Sequence, residues 1–104
     1  MSIKPEDVCD IVGIQWNPDE INMKLYEKAF THKSAVKEKN QCNERLEFVG
    51  DAVLNLVVGH YLYEKYPNEN EGFLTRIRTK LVSGTNLCKI AKKMNFGDFI
   101  KMND

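Results

Sequence analysis

Three carboxylates, Glu44, Glu47 and Asp51, stand at i, i+3 and i+7 within Asn43-Glu44-Arg45-Leu46-Glu47-Phe48-Val49-Gly50-Asp51-Ala52-Val53-Leu54. In a helix that spacing places all three on one face, over roughly two turns. Solvated like charges so placed cost only about a few tenths of a kcal/mol. Buried, they would cost far more unless a cation or a proton neutralised them. Two readings follow: a solvated acidic face with Arg45 and other cations nearby, or a site for a hard, oxygen-loving cation such as Mg²⁺. The apolar density around the acids brings the second level with the first. Carboxylates on one helix cannot complete a metal site, so further ligands must come from elsewhere. Gly50, beside Asp51, costs about 1 kcal/mol against Ala in a helix, and so marks close approach by another backbone or a ligand.

The elements that must hold these residues are helical. From Glu44 to Tyr66 runs the longest pattern in the chain, closed by Pro67. Leu46, Phe48, Val49, Val53, Leu54, Leu56, Val57, Val58, Tyr61, Leu62, Tyr63 and Tyr66 surround that helix rather than striping it. Such a helix is central and buried, or also faces a second subunit. Upstream, Asn17-Pro18-Asp19-Glu20 predicts a helix start, with Asn17 as cap, Pro18 at the first position and Glu20 three residues after the cap. Ile21, Leu25 and Ala29 continue it as a stripe, Thr31–Ser34 ends it, and Lys37-Glu38-Lys39-Asn40-Gln41 reads as an exposed loop. Downstream, Asn68 and Glu71 repeat the cap-plus-three spacing, and Thr85 is placed to cap a last helix carrying Leu87, Ile90, Ala91 and Met94. No window alternates at period two and no repeat is visible. The fold class is all-α, with about five helices.

At 104 residues, 42% hydrophobic and 10% aromatic, the chain suits one small folded domain. Its net charge of zero argues against a stand-alone basic nucleic-acid module. The average conceals an asymmetry: residues 1–72 hold 8 Lys+Arg against 13 Asp+Glu, and residues 73–104 hold 7 against 2. That partition either sets carboxylates for a metal beside cations for a phosphate backbone, or is chance in a neutral protein. No apolar run approaches the ~20 residues of a membrane span, and no membrane partner is expected. The first ten residues show no secretory pattern. Cys9, Cys42 and Cys88, odd in number and without CxxC spacing, favour reduced thiols and a cytoplasmic setting. Each is otherwise read as a small buried or half-buried apolar residue.

Of the two histidines, His32 and His60, neither has zinc-ligand spacing, and His32 is read as tying a loop to a helix. Ser34 and Ser83 have no base partner that would make a nucleophile. Arg76, Arg78 and Lys80, then Lys89, Lys92 and Lys93, make the basic part of the chain. They suit sequence-independent contact with a phosphate backbone, although Lys92 and Lys93 fit a solvated helix face equally well.

The segment ERLEFVGDAVL at positions 44–54 resembles the signature of the ribonuclease III family, whose members cut double-stranded RNA. AFTHKSA at 29–35 and NEGFLTRIRTKLVSGTNL at 70–87 resemble the flanking segments of that family, and the likeness covers roughly residues 20–100. The resemblance implies an all-α endonuclease-domain helical bundle, truncated here, working as a homodimer with RNA in the cleft between subunits. Glu47 and Asp51 match the two signature carboxylates that bind the catalytic Mg²⁺, for which Mn²⁺ can substitute. Glu44 and Arg45 match supporting positions, and Phe48 matches the aromatic that packs into a partner subunit. Implied chemistry is metal-assisted hydrolysis, leaving 5′-phosphate and 3′-hydroxyl ends. The family's second acidic pair, an Asp followed three residues later by Glu, has no counterpart: neither Asp98 nor Asp104 has that Glu. Nothing resembles a double-stranded-RNA-binding domain. The expectation is therefore that residues 1–104 form the N-terminal part of such an endonuclease domain and supply half of its acidic site. The alternative is a non-catalytic relative that binds RNA or protein.

Overall fold

A computed structural model of the chain describes residues 3–13 and 22–102. Among them run five α-helices and three short 3₁₀ turns: α1 (Pro5–Val12), α2 (Met23–Ala29), α3 (Glu44–Lys65), α4 (Glu71–Leu81) and α5 (Gly84–Lys93), with 3₁₀ turns at Lys33–Ala35, Lys39–Gln41 and Phe96–Asp98. The all-α expectation holds. An isolated parallel bridge joins Thr31 to Lys101.

α1 was not singled out by the sequence reading, though its start has a clear signal. Pro5 sits at the first helical position, where its missing N–H costs nothing, and the Lys4 N–H donates to Asp7 Oδ2 at 2.9 Å. Gly13 ends the helix in the left-handed region at φ 77°, its N–H reaching Cys9 O. The expected helix start at Asn17–Glu20 lies outside the described residues; α2 begins after Asn22. Two further caps differ from expectation. Asn68 lies inside the turn that the Glu69 N–H closes on Tyr66 O, so α4 is capped instead by Asn70, whose Oδ1 accepts from the Phe73 N–H at 2.9 Å. α5 is capped by Ser83, which accepts from the Asn86 N–H at 3.2 Å, and Thr85 falls within its first turn.

α3, at 22 residues, is about 33 Å long and stops at Tyr66, just before Pro67. α4 folds back against it. Tyr66 and Phe73 meet edge to face across the corner, with ring centroids 5.3 Å apart. At the other end of the molecule, Ile3 and Val8 form a small apolar cluster with Cys9, Ile11, Met23, Tyr26, Phe30 and Phe99. Phe96 and Phe99 both set an edge against Phe30. The Lys101 N–H donates to Phe30 O and the His32 N–H to Lys101 O, fastening residue 101 to the strand-like stretch that leads toward α3. His32 Nδ1 accepts from the Ser34 N–H, so its ring organises its own 3₁₀ turn rather than bridging to a helix.

Of the two places expected for α3, central and buried or facing a second subunit, the described residues do not bear out the first. Leu62 alone of its described side chains is buried, while Phe48, Val49, Val53, Leu56, Val57, Tyr61 and Tyr63 are exposed. The radius of gyration is 16.1 Å, above the roughly 13 Å of a compact domain of this length. Among the described residues no helix is long and apolar enough to cross a membrane.

Candidate functional site

The first turns of α3 carry the acids. Helical periodicity alone brings Glu44, Glu47 and Asp51 to one face, as expected, and all three are exposed. The burial argument for a cation therefore does not apply: these carboxylates face solvent and need no counter-charge to be tolerated. What they share is an open hollow of about 690 Å³, lined by Glu44, Glu47, Phe48, Gly50, Asp51, Ala52, Leu54 and Leu87. Leu87 comes from α5. The sequence placed it on an apolar helical stripe but gave no means of knowing what that stripe would face.

Gly50 has no protein atom within 4 Å of where a Cβ would stand. Of the two uses expected for Gly50, close approach by another backbone or by a ligand, the described residues do not make the first. The Asn55 amide donates to Asp51 O at 2.9 Å along the same helix. Phe48, 84% exposed, forms a ridge between the acidic hollow and a second one of about 580 Å³ that includes Leu25, Lys28, Arg45 and Val49. Arg45 is exposed on the far side of that ridge.

The three cations of α4 divide. Arg76 and Lys80, four residues apart, are exposed on one side. Arg78 is half-buried, with Nη1 3.5 Å and Cδ 4.0 Å from the position a Cβ on Gly59 would take. It belongs to the α3–α4 contact.

Two exposed carboxylates beside open space suit Mg²⁺, which keeps several waters and binds through one or two carboxylates plus substrate phosphate oxygens. Among the described residues no three His, Cys, Asp or Glu side chains gather closely enough to hold a metal by themselves.

Residues 22–104 match the family model described as Ribonuclease-III-like. The chain belongs to the ribonuclease III family. It is 46% identical over 89 residues to the ribonuclease 3 of Mycoplasmoides pneumoniae, covering 83% of this chain and 32% of that protein. With the ribonuclease 3 of Aliarcobacter butzleri it shares 52% identity over 79 residues, 76% of this chain and 34% of the relative. The chain thus spans about a third of the length of these ribonuclease III relatives. A solved structure of the ribonuclease III nuclease domain from Campylobacter jejuni, described as flexible in a region involved in dimer formation, superposes with a TM-score of 0.80 at 42% identity. That superposition covers 94% of this chain and 64% of the other.

Proposed function

We propose that this chain is the N-terminal part of a ribonuclease III endonuclease domain that cuts double-stranded RNA with Mg²⁺, or Mn²⁺ in its place, leaving 5′-phosphate and 3′-hydroxyl ends. The observation that carries the reading is the solvent-open face of Glu47 and Asp51 beside an open hollow of about 690 Å³, in a chain of this family. Glu47 and Asp51 would hold the metal, which when bound supplies charge stabilisation and a more acidic water. Glu44 extends the negative face, and Arg45 counters it from the neighbouring side. Neither acid has a partner that would draw it away from a cation, since no ion pair within the described residues involves them. The second acidic pair is contributed from outside these residues.

Phe48 is placed to enter a second copy: an aromatic so exposed has no role in its own fold, and burying it is a strong gain for association. Arg76 and Lys80 reach solvent and suit contact with the RNA backbone; Arg78 reaches it only by leaving α3. A cytoplasmic setting accords with the composition.

The test is made in the full-length protein. Glu47→Ala and Asp51→Ala each abolish cleavage while RNA binding stays within about twofold; retained cutting by either variant rejects its role. Calorimetric Mg²⁺ titration separates the second reading, a binding-only relative, which the lack of a third ligand among the described residues favours. That reading requires no specific metal site.

A further inference from the structure

Among the described residues Thr31 is the one buried polar side chain, at 8% exposed. Its hydroxyl donates to Glu27 O at 2.6 Å and its N–H to Lys28 O at 3.1 Å. Both acceptors are carbonyls of the last turn of α2, which have no partner within the helix itself. The Thr31 carbonyl in turn accepts from the Asn43 N–H at 3.0 Å, and Asn43 O accepts from the Glu47 N–H at 2.8 Å, the first main-chain bond of α3. Thr31 thus ties the end of α2 to the start of α3, with one residue between its carbonyl and the Glu47 amide. The peptides on either side are held too: the Lys101 N–H donates to Phe30 O at 2.7 Å and the His32 N–H to Lys101 O at 2.8 Å. Cys42, next to Asn43, is 2% exposed, so water has little access to the link, which strengthens its hydrogen bonds.

Few other contacts among the described residues hold that end of α3. Asn43 makes no side-chain cap bond, and Phe48, Val49 and Val53 are more than half exposed. Packing against α4 falls further along, at Gly59 with Arg78 and at Tyr66 with Phe73. Ligand groups of a metal site must be kept within about 0.5 Å of their working positions, and Glu47 and Asp51 ride on the first two turns of this helix. We propose that Thr31 is a positioning residue for the metal site. Its hydroxyl fixes the peptide that anchors Asn43, and through Asn43 the direction in which α3 carries Glu47 and Asp51. Because that hydroxyl is spent on α2, Thr31 acts through the main chain and not on the metal. This role rests on the Mg²⁺ reading of Glu47 and Asp51.

The experiment compares, in the full-length protein, Thr31→Val, which keeps the shape and removes the hydroxyl, with Thr31→Ser, which keeps the hydroxyl. Mg²⁺ affinity is read by calorimetry without RNA, and amide exchange at Asn43 and Glu47 by NMR. Thr31→Val is expected to weaken Mg²⁺ binding about tenfold, the low end of what losing an outer partner of a metal ligand costs. It also speeds exchange at both amides, and saturating Mg²⁺ restores kcat. Thr31→Ser returns the wild-type affinity. Leu62→Ala, a buried site toward the other end of α3, lowers Tm but leaves Mg²⁺ affinity unchanged, which separates positioning from loss of stability. Unchanged Mg²⁺ affinity in Thr31→Val overturns the role, as does a loss that Thr31→Ser shares or Leu62→Ala reproduces. Should Thr31→Val fail to fold, Asn43→Pro decides: proline fits the φ of −80° there and removes the N–H that reaches Thr31 O. A similar loss of affinity in that variant upholds the role, and wild-type affinity overturns it. A wild-type protein that binds no Mg²⁺ rejects the metal reading itself, and the role of Thr31 with it.

Discussion

Arg78 of α4 lies over Gly59 of α3, its Nη1 3.5 Å from the point where a Cβ would project. That distance is ordinary van der Waals contact, so the glycine lets the helices approach without being strictly required. Gly59→Ala is expected to stabilise the chain by about 0.5–1 kcal/mol through helix propensity. A bulkier Gly59→Leu would displace Arg78 and destabilise. Gly50→Ala, facing open space, should add a similar amount; thermal unfolding measures all three. If Gly50 serves RNA or a partner, Gly50→Ala also lowers cleavage by the full-length protein while raising Tm.

The caps locate the true helix starts. Asn70→Ala and Ser83→Ala are each expected to cost about 0.5–2 kcal/mol, since each removes an acceptor from a helix N–H. Asn68→Ala and Thr85→Ala should stay within about 0.5 kcal/mol. Urea unfolding distinguishes the two pairs.

Two apolar residues of one helix should respond in opposite ways. Leu62 is 2% exposed, and Leu62→Ala is expected to cost about 2–5 kcal/mol. Phe48→Ala should change stability by no more than about 0.5 kcal/mol, yet shift the full-length protein from dimer to monomer in sedimentation.

Salt titration of RNA binding separates the cations. Arg76→Ala and Lys80→Ala in the full-length protein should each lower the slope of log K against log salt by about 1. Arg78→Ala should leave that slope nearly unchanged and lower Tm instead, because its head group lies at the helix contact.

Lys65 donates to the Tyr61 hydroxyl at 3.1 Å, and that bond, with the Tyr61 and Tyr66 charges, raises its pKa above the ordinary 10.5. A raised folded-state pKa means the stabilisation is complete below 10.5 and is lost as pH climbs through the higher folded value. An NMR titration of the Lys65 side chain should show the raised midpoint, and Tyr61→Phe should bring it back toward the ordinary value.

What the sequence determined by itself is local. Helix type follows from spacing, the stop of α3 from Pro67, and the common face of Glu44, Glu47 and Asp51 from 3.6 residues per turn; none of these needs a distant contact. The motif at 44–54 was likewise readable as the mark of a family. Tertiary structure decided what those faces meet. Periodicity marks a residue as apolar but says nothing of whether a neighbour covers it, so Leu62 is buried and Leu56 is not. The same limit hid Leu87 beside the acids and Arg78 against Gly59, and left Gly50 facing open space. Burial is a property of pairs of elements, and only the packed chain states which pairs exist.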